Sequence, residues 1–469
     1  MVVTHTKKLA EVIASKIEQD IIERGWPTGE VLGSEPDLLE RYDVSRGVLR
    51  EAIRLVEHKQ IGRMRRGPSG GLVVTAPDAG PVIDAVAVYV RYAQVTLDEL
   101  FEARQIVEVA ATERAAANLT EADLEALRAH LAGGACHDDA DPHALHRHIG
   151  ALTGNPAIEL FSDVLTRLTA LYVGSLTVSR ASSAGWNADS DAAHDAIVEA
   201  LVAGNPGLAG HRMGLHLEAL GAFLRHRRAS QTVLSALLGR NGSQSKMAEE
   251  LARSIFRDVA ERGWPTGEVL GSESALIERY DVSRAVLREA ARLLEYHQIA
   301  RMRRGPGGGL VVTEPGADAI AEAMTLYLEY QGITPAHLYE ARSALELAAV
   351  DLAAAKLDDD GAAALRASLV AEREAVDIDL NRVSHELHVL IAELAGNRLL
   401  LLFLRILIRL SARHTPPRVG ARSRASLQAL AAEVNRTHAS IVEAVIDRDP
   451  ELARHRMQKH LAALVPWYA

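Results

Sequence analysis

Apolar residues recur three and four positions apart along most of the chain, and where they stop, glycine, proline or a short polar run takes over. In residues 8–22, Leu9, Val12, Ile13, Ile17 and Ile21 share one helical face, and the pattern breaks at Gly25-Trp26-Pro27-Thr28-Gly29. Ser34 is placed to cap a second helix, with Glu35 and Asp37 in its first turn, reaching about Arg41. Ser45 caps a third, whose buried stripe is Val48, Leu49, Ala52, Ile53 and Val56. Ile61 to Arg66, a glycine-rich turn at 67–71 and Leu72-Val73-Val74 then read as strand, turn and strand. Three helices and a hairpin predict a winged helix-turn-helix. From Ala79 to about Arg228 the pattern is helical throughout, broken near Thr120, at 133–142, at Gly154-Asn155-Pro156, at 181–190 and at Gly204-Asn205-Pro206, which predicts a bundle of about six helices.

This layout is written twice. Residues 24–74 return at 262–312 with a constant offset of 238, as between Arg46 and Arg284, and the helical stretch returns from Ala317 to the C-terminus. The expected organisation is a winged helix-turn-helix domain over 1–76, a helical domain over 77–228, a Gly/Ser-rich linker over 229–245, a second winged domain over 246–314 and a second helical domain over 315–469. The expected fold class is mainly α: two winged domains, each followed by an all-α helical bundle.

Composition narrows the class. Of 469 residues 48% are apolar but only 4% aromatic, so the cores are built from Leu, Val, Ile and Ala. One cysteine, Cys136, excludes an intrachain disulfide and a four-cysteine zinc finger, and the lack of a signal-like or membrane-spanning run points to a soluble, cytoplasmic protein. The net charge is −10, yet Lys59 to Arg66 carries four cations, Arg65 and Arg66 among them, and Ile299 to Arg304 carries three, including Arg303 and Arg304. Positive charge gathered inside the repeat of an otherwise acidic chain suits a module that meets a polyanion.

The runs PTGEVLGSE, VSRGVLREAIRLVE and RRGPSGGLVV resemble the DNA-binding domain of GntR-family transcription factors, and both copies match along their length. The resemblance implies that Ser45, Arg46, Arg50 and wing Gly71, with Ser283, Arg284, Arg288 and Gly309 of the second copy, lie at the DNA. Two arginines one turn apart at a helix start can present donor forks to a guanine edge and a phosphate. The alternative is a solvated face in which Arg46, Arg50 and Arg54 pair with Glu51 and Glu57. Pro36 and Ser274, and Gly47 and Ala285, depart from residues common in the family, so the operator sequence does not carry over.

The histidines of the helical stretches also repeat their spacing. His146 and His388 each lie eight residues before a Gly-Asn pair, and His194 and His216 are 22 apart, as are His438 and His460. Three imidazoles on facing helices can hold a divalent metal, zinc or similar; the other reading is that they pack and hydrogen-bond without one. The layout resembles the ligand-binding FCD domain of the FadR-type subfamily, whose metal-bearing members add an Asp four residues before the first His. Here those positions are Pro142 and Ser384, which leaves Asp141, His143, His385 or water as substitutes. By the same resemblance Arg104 and Arg342 match an arginine that helps bind a carboxylate effector, although each also has an i+4 glutamate partner, Glu108 or Glu346.

The expected function is therefore a sequence-specific DNA-binding transcriptional regulator, a repressor, that reads an inverted repeat in double-stranded operator DNA and responds to a small carboxylate or acyl effector. The duplication reads as a dimer fused into one chain. A metal-dependent enzyme using the three-His sites is the alternative, and the lack of a recurrent carboxylate or nucleophile beside the triads weighs against it.

Overall fold

The structure is a computed structural model that describes residues 9–67, 70–133, 143–174, 180–226, 246–305, 307–374, 380–414 and 424–468. By contact the chain divides into two compact units, residues 1–82 with 322–333, and residues 83–321 with 334–469.

The first unit begins with α1 (Leu9–Glu23), β1 (Val31–Gly33), α2 (Glu35–Tyr42), α3 (Arg46–His58), β2 (Gly62–Arg65) and β3 (Gly71–Val74). Both expected caps form. The Ser34 hydroxyl accepts from the Asp37 N–H while the Asp37 carboxylate accepts from the Ser34 N–H, a capping box, and the Ser45 hydroxyl accepts from the Val48 N–H. Between the two helices Asp43 turns the chain with φ 48°. Leu49, Ala52, Ile53 and Val56 of α3 are buried against Ile13, Ile17 and Ile21 of α1, with Leu38, Ile61 and Leu72 closing the core.

The wing holds one strand more than the hairpin expected from sequence. The sheet order is β1-β3-β2, antiparallel throughout, with Gly62 opposite Val74 and Arg65 opposite Gly71. Three residues are too few to show a period of two, so β1 left no sequence signal. Its close approach does leave a mark: a Cβ on Gly71 would sit 2.5 Å from the Gly33 carbonyl oxygen.

After the wing come α4 (Ala79–Tyr92), α5 (Leu97–Asn118), α6 (Glu121–Gly133), α7 (Ala144–Leu152), α8 (Pro156–Gly174), α9 (Arg180–Val202) and α10 (Pro206–His226). The second copy repeats the order: α11 (Lys246–Glu261), β4 (Val269–Gly271), α12 (Glu273–Tyr280), α13 (Arg284–Tyr296), β5 (Ala300–Arg303), β6 (Gly309–Val312), α14 (Ala317–Tyr330), α15 (Pro335–Lys356), α16 (Asp359–Glu374), α17 (Leu380–Leu394), α18 (Arg398–His414), α19 (Arg424–Ile446) and α20 (Pro450–Tyr468). Each helical stretch thus has seven described helices where sequence suggested about six. The missed break lies at 93–96, where Gln94 takes φ 54° and Thr96 caps α5 with Glu99 in a second capping box. The reverse error fell at 181–190: the small polar residues there belong to α9.

The helix after each wing crosses to the other copy. In the first unit Leu326 of α14 joins the core of the first winged domain, and the Tyr330 ring meets Trp26 edge-on at 5.5 Å. In the second unit Tyr92 of α4 meets Trp264 in the same way at 5.6 Å. Trp26 and Trp264 hold left-handed backbone, φ 57° and 58°, a conformation costing on the order of 1 kcal/mol or more for such a residue. Each indole N–H donates across the turn, to the carbonyl of Thr75 at 3.0 Å and of Thr313 at 2.8 Å, which fixes the ring for its partner.

Within the second unit the two helical domains pack on one another. Phe161 of α8 stacks on Phe403 of α18, centroids 4.1 Å apart, and both rings are fully buried. Asn155 caps α8 with its Oδ1 and donates from Nδ2 to the His337 carbonyl at 2.9 Å; Asn397 does the same for α18 and the Glu99 carbonyl, also at 2.9 Å. The Gly-Asn positions that read as simple helix breaks are thus caps whose spare amide joins the two bundles.

Candidate nucleic-acid interface and imidazole sites

At the start of α3, Arg46 and Arg50 keep 68% and 63% of their side chains exposed, and Arg284 and Arg288 of α13 match them at 68% and 63%. Each pair leans on one carboxylate from the preceding helix: Glu35 lies 3.5 Å from Arg46 and 3.2 Å from Arg50, and Glu273 lies 3.6 Å from Arg284 and 2.9 Å from Arg288. Exposed ion pairs of this kind contribute little stability, so the carboxylate orients the forks without competing strongly with a phosphate. Arg46 and Arg50 do not take the partners of the solvated-face reading, whereas Arg54 does. Arg54 pairs with Glu51 at 3.1 Å, whereas Glu57 accepts the Met64 N–H at 2.9 Å and ties α3 to the wing.

On the wing Arg65, Arg66, Arg303 and Arg304 are exposed, and Ser45 and Ser283 are exposed caps. Gly71 and Gly309 have a structural reason of their own. Both are buried beneath the β1 and β4 strands, where a Cβ would meet the Gly33 or Gly271 carbonyl oxygen at 2.5 or 2.2 Å, so close backbone packing accounts for these glycines without DNA. The turn residues Pro68 and Ser69 lie outside the described residues.

The histidines expected to gather do so. His146 on α7, His194 on α9 and His216 on α10 are 2%, 5% and 4% exposed, and their ligand atoms lie within 4.8 Å of one another. His388 on α17, His438 on α19 and His460 on α20 repeat the arrangement. Buried carboxylates set the tautomers. His146 Nδ1 donates to Glu108 at 2.6 Å, His388 Nδ1 to Glu346 at 2.5 Å and His438 Nδ1 to Glu372 at 2.8 Å. An ionised carboxylate only accepts, so Nδ1 carries the proton in each, and the neutral form of these rings presents its lone pair on Nε2.

Those lone pairs converge. His460 Nε2 stands 3.2 Å from His388 Nε2 and 3.3 Å from His438 Nε2, and His194 and His216 face each other through Nε2 at 3.3 Å. Nitrogens held tetrahedrally about 2.0–2.1 Å from a zinc-like ion stand about 3.3 Å apart, so the donor set fits a divalent transition metal. Burial also favours the neutral form, which ligation needs, at three of the rings. It pushes both His216 and His460 down to about 2, helped by the neighbouring imidazoles, and lowers His438 as well.

Arg104 and Arg342 stand behind these sites. Arg104 is fully buried and donates to Glu108 at 2.5 and 3.0 Å and to the Thr169 hydroxyl at 3.1 Å; Arg342 donates to Glu346 at 2.6 Å and to Ser411 at 3.4 Å. Burial alone would raise the Glu108 and Glu346 carboxyls, but the guanidinium and imidazole beside each outweigh it and hold both well below the usual range. A chain of Arg, Glu and His therefore orients one ligand in each site. Sequence showed the Arg-Glu pairing at i,i+4 but not its hold on the histidine, which comes from another helix. Glu372 gave no signal: its counterpart at the 238 offset is Gly134, outside the described residues. Of the residues that could add a further ligand, His143 stands at the N-cap position of α7 with its ring 6.4 Å from that of His146, His385 is half-buried and pushed down to about 3 by burial and by Arg342, and Asp141, like Pro142, lies outside the described residues.

Comparison with known proteins places both modules. The profile of bacterial regulatory proteins of the gntR family matches residues 9–69 and 247–311, and that of the FCD domain matches 99–219 and 337–463. The chain belongs to the gntR family. It carries an FCD domain after each winged domain, and this family consists of DNA-binding transcriptional regulators rather than enzymes. The Exu regulon transcriptional regulator of Escherichia coli strain K12 is 26% identical over 231 residues, 46% of this chain and 85% of that protein. The HTH-type transcriptional repressor NanR of Cronobacter sakazakii is 26% identical over 253 residues, 51% of this chain and 93% of the relative. Among solved structures, Streptococcus agalactiae GntR covers 47% of this chain and 99% of its own, at 21% identity and a TM-score of 0.37. One copy of this gntR protein thus corresponds in sequence to nearly a whole relative. No helix among the described residues is long and apolar enough to cross a membrane.

Proposed function

We propose that this chain is a transcriptional repressor that reads an inverted DNA repeat with its own two winged domains, and that a small organic acid taken up in the helical domains at a divalent metal controls it. One observation carries the reading: each copy has an outward arginine pair at a capped helix start and an inward imidazole triad, so one polypeptide holds two readers and two sensors. Tethering the readers raises the effective concentration of the second once the first has bound.

His146, His194 and His216 would hold one ion and His388, His438 and His460 the other, with Glu108, Glu346 and Glu372 fixing ring orientation. A bound divalent ion supplies an anchor for a carboxylate. Arg104 and Arg342 are committed to Glu108 and Glu346, so their part in effector binding is to hold the site's carboxylates, or to meet the acid after displacing them. Control follows from linkage: an acid that favours a geometry mismatched to the half-site spacing weakens DNA binding, and DNA weakens acid binding by the same factor.

The test is selection of bound DNA from a random pool, with and without chelator and candidate acids, followed by light scattering of the complex. One chain on one palindrome is the expected stoichiometry, and an obligatory pair of chains would contradict it. Arg50→Ala with Arg288→Ala should abolish specific binding while leaving acid affinity nearly intact. Unchanged operator affinity in a gel-shift series would overturn the assignment of those helices.

A further inference from the structure

We propose that the two helical domains of this chain pair only as unlike partners, so that the face each turns to the other accepts the chain's own other half and rejects a second copy of itself. This rests on the helical domains alone, independently of DNA, metal or effector.

Part of the interface is indifferent to which copies meet. The Phe161–Phe403 stack and the reciprocal Asn155 and Asn397 bonds sit on matching positions, 242 apart, and would form in any pairing. The peripheral cations are indifferent as well. Arg114 reaches Glu340 at 2.6 Å and Lys356 reaches Glu102 at 3.0 Å; Glu102 and Glu340 are each other's counterparts, so either cation finds a carboxylate opposite either copy.

One contact does choose. Glu99, 8% exposed, accepts from the Arg398 backbone N–H at 3.2 Å and from its Nε at 3.0 Å, while a further guanidinium N–H of Arg398 donates to the Ala93 carbonyl. The counterpart of Glu99 is His337 (99 plus 238), and that of Arg398 is Pro156 (398 minus 242). His337 serves its own helix, where it caps α15 with Thr334. Proline has neither a cation nor a backbone N–H to offer.

Pairing first copy with first copy would therefore set each Glu99 against Pro156, and a buried carboxylate would lose both Arg398 donors and keep only those of its own cap, Thr96. Pairing second with second would set each Arg398 against His337, an imidazole where the Glu99 carboxylate stands in the unlike pair. Two chains exchanging unlike pairs for like pairs lose both Glu99–Arg398 contacts and gain none. Arg398 is 43% exposed and can return to water, so the cost falls on the buried Glu99 carboxylate, which loses its cation and a backbone donor with nothing to replace them.

The experiment uses the full chain with a protease site placed between 229 and 245. Light and isotope-heavy preparations are cut, mixed, unfolded in urea, refolded and weighed by native mass spectrometry. Complexes of one first half with one second half should dominate, with like pairs at least about tenfold below their random share. Like and unlike pairs in the random ratio would overturn the proposal. Converting Glu99→His with Arg398→Pro makes the two edges alike and should bring like pairs up to that random share, and like pairs still absent from this variant would also overturn it. A second measurement needs no refolding: tagged and untagged intact chains are produced together and captured on the tag. Untagged chain should stay behind, and its capture in equal amount would refute closure within one molecule.

Discussion

The two copies agree in their arginine pairs and imidazole triads and differ at particular points where they meet. The arginine pairs of α3 and α13 match in exposure to the percentage point and lean on equivalent glutamates, and the two triads match in their nitrogen spacing. The joints between the copies have gone separate ways. In the first, Lys59 donates to Glu18 at 2.9 Å and to Glu322 of α14 at 2.6 Å, whereas the same three positions in the second hold His297, Phe256 and Asp84. A surface that must fit an external partner repeating itself, such as two DNA half-sites, keeps both copies alike. An internal joint need only match the one surface it always meets, and is free to become asymmetric.

Acid should separate the copies most strongly. Burial lowers His297 from the ordinary 6.5 to about 4, and Lys59, beside two carboxylates, stays charged throughout that range. The depressed value means that the unfolded chain binds the proton more readily. The neutral imidazole therefore supports the second winged domain fully above pH 6.5, and that support is lost as pH falls from 6.5 through 4. The loss amounts to about 3 kcal/mol from a shift of roughly 2.5 units. Hydrogen exchange measured between pH 7 and pH 4 should show β4–β6 and α13 opening while β1–β3 and α3 hold. Equal loss of protection in both would refute this asymmetry, and His297→Gln should flatten the second domain's response.

The sequence carried the caps, the stripes and the histidine spacing because each is a local pattern: Ser34 with Asp37, Ser45 with Val48, and pairs of imidazoles 22 residues apart. It did not carry the partners that arrive from elsewhere. Glu372 reaches His438 across 66 positions, Arg398 reaches Glu99 across 299, and Leu326 enters a core whose other residues end at Val74. No periodicity within one helix records which distant helix will lie beside it. Arg104 shows the boundary: its bond to Glu108 follows from helical spacing, but the decision that Glu108 also holds His146 belongs to packing.

The imidazole sites give a smaller contrast. Glu372 holds His438 on one side and accepts from Asn435 at 3.1 Å on the other, which fixes the carboxylate as well as the ring. Replacing a carboxylate that orients a metal-bound histidine commonly weakens binding about 10–100-fold. Glu372→Gln should weaken zinc binding by that order at the second site and leave the first unchanged, as two resolved phases in a competition titration with a chelating dye. A change in both phases, or in neither, would remove Glu372 from the site.

The smallest contrast lies on the readers themselves. Gly47 and Ala285 occupy the same place, one residue past the first arginine, and both are exposed. A Cβ added to Gly47 would meet nothing within 4 Å, so the substitution Gly47→Ala costs no packing, and replacing glycine within a helix gains up to about 1 kcal/mol of stability. On DNA an alanine methyl at this place can contact a thymine methyl that glycine leaves untouched, a preference smaller than that of an arginine fork on guanine. Under the proposed function the selected operator should therefore be an imperfect palindrome, alike where the two arginine pairs would meet it and uneven at one position. Gly47→Ala should even it out, raising thymine in the weaker half-site by a few fold. Should the unmodified chain already select two identical half-sites, the methyl at Ala285 reads nothing.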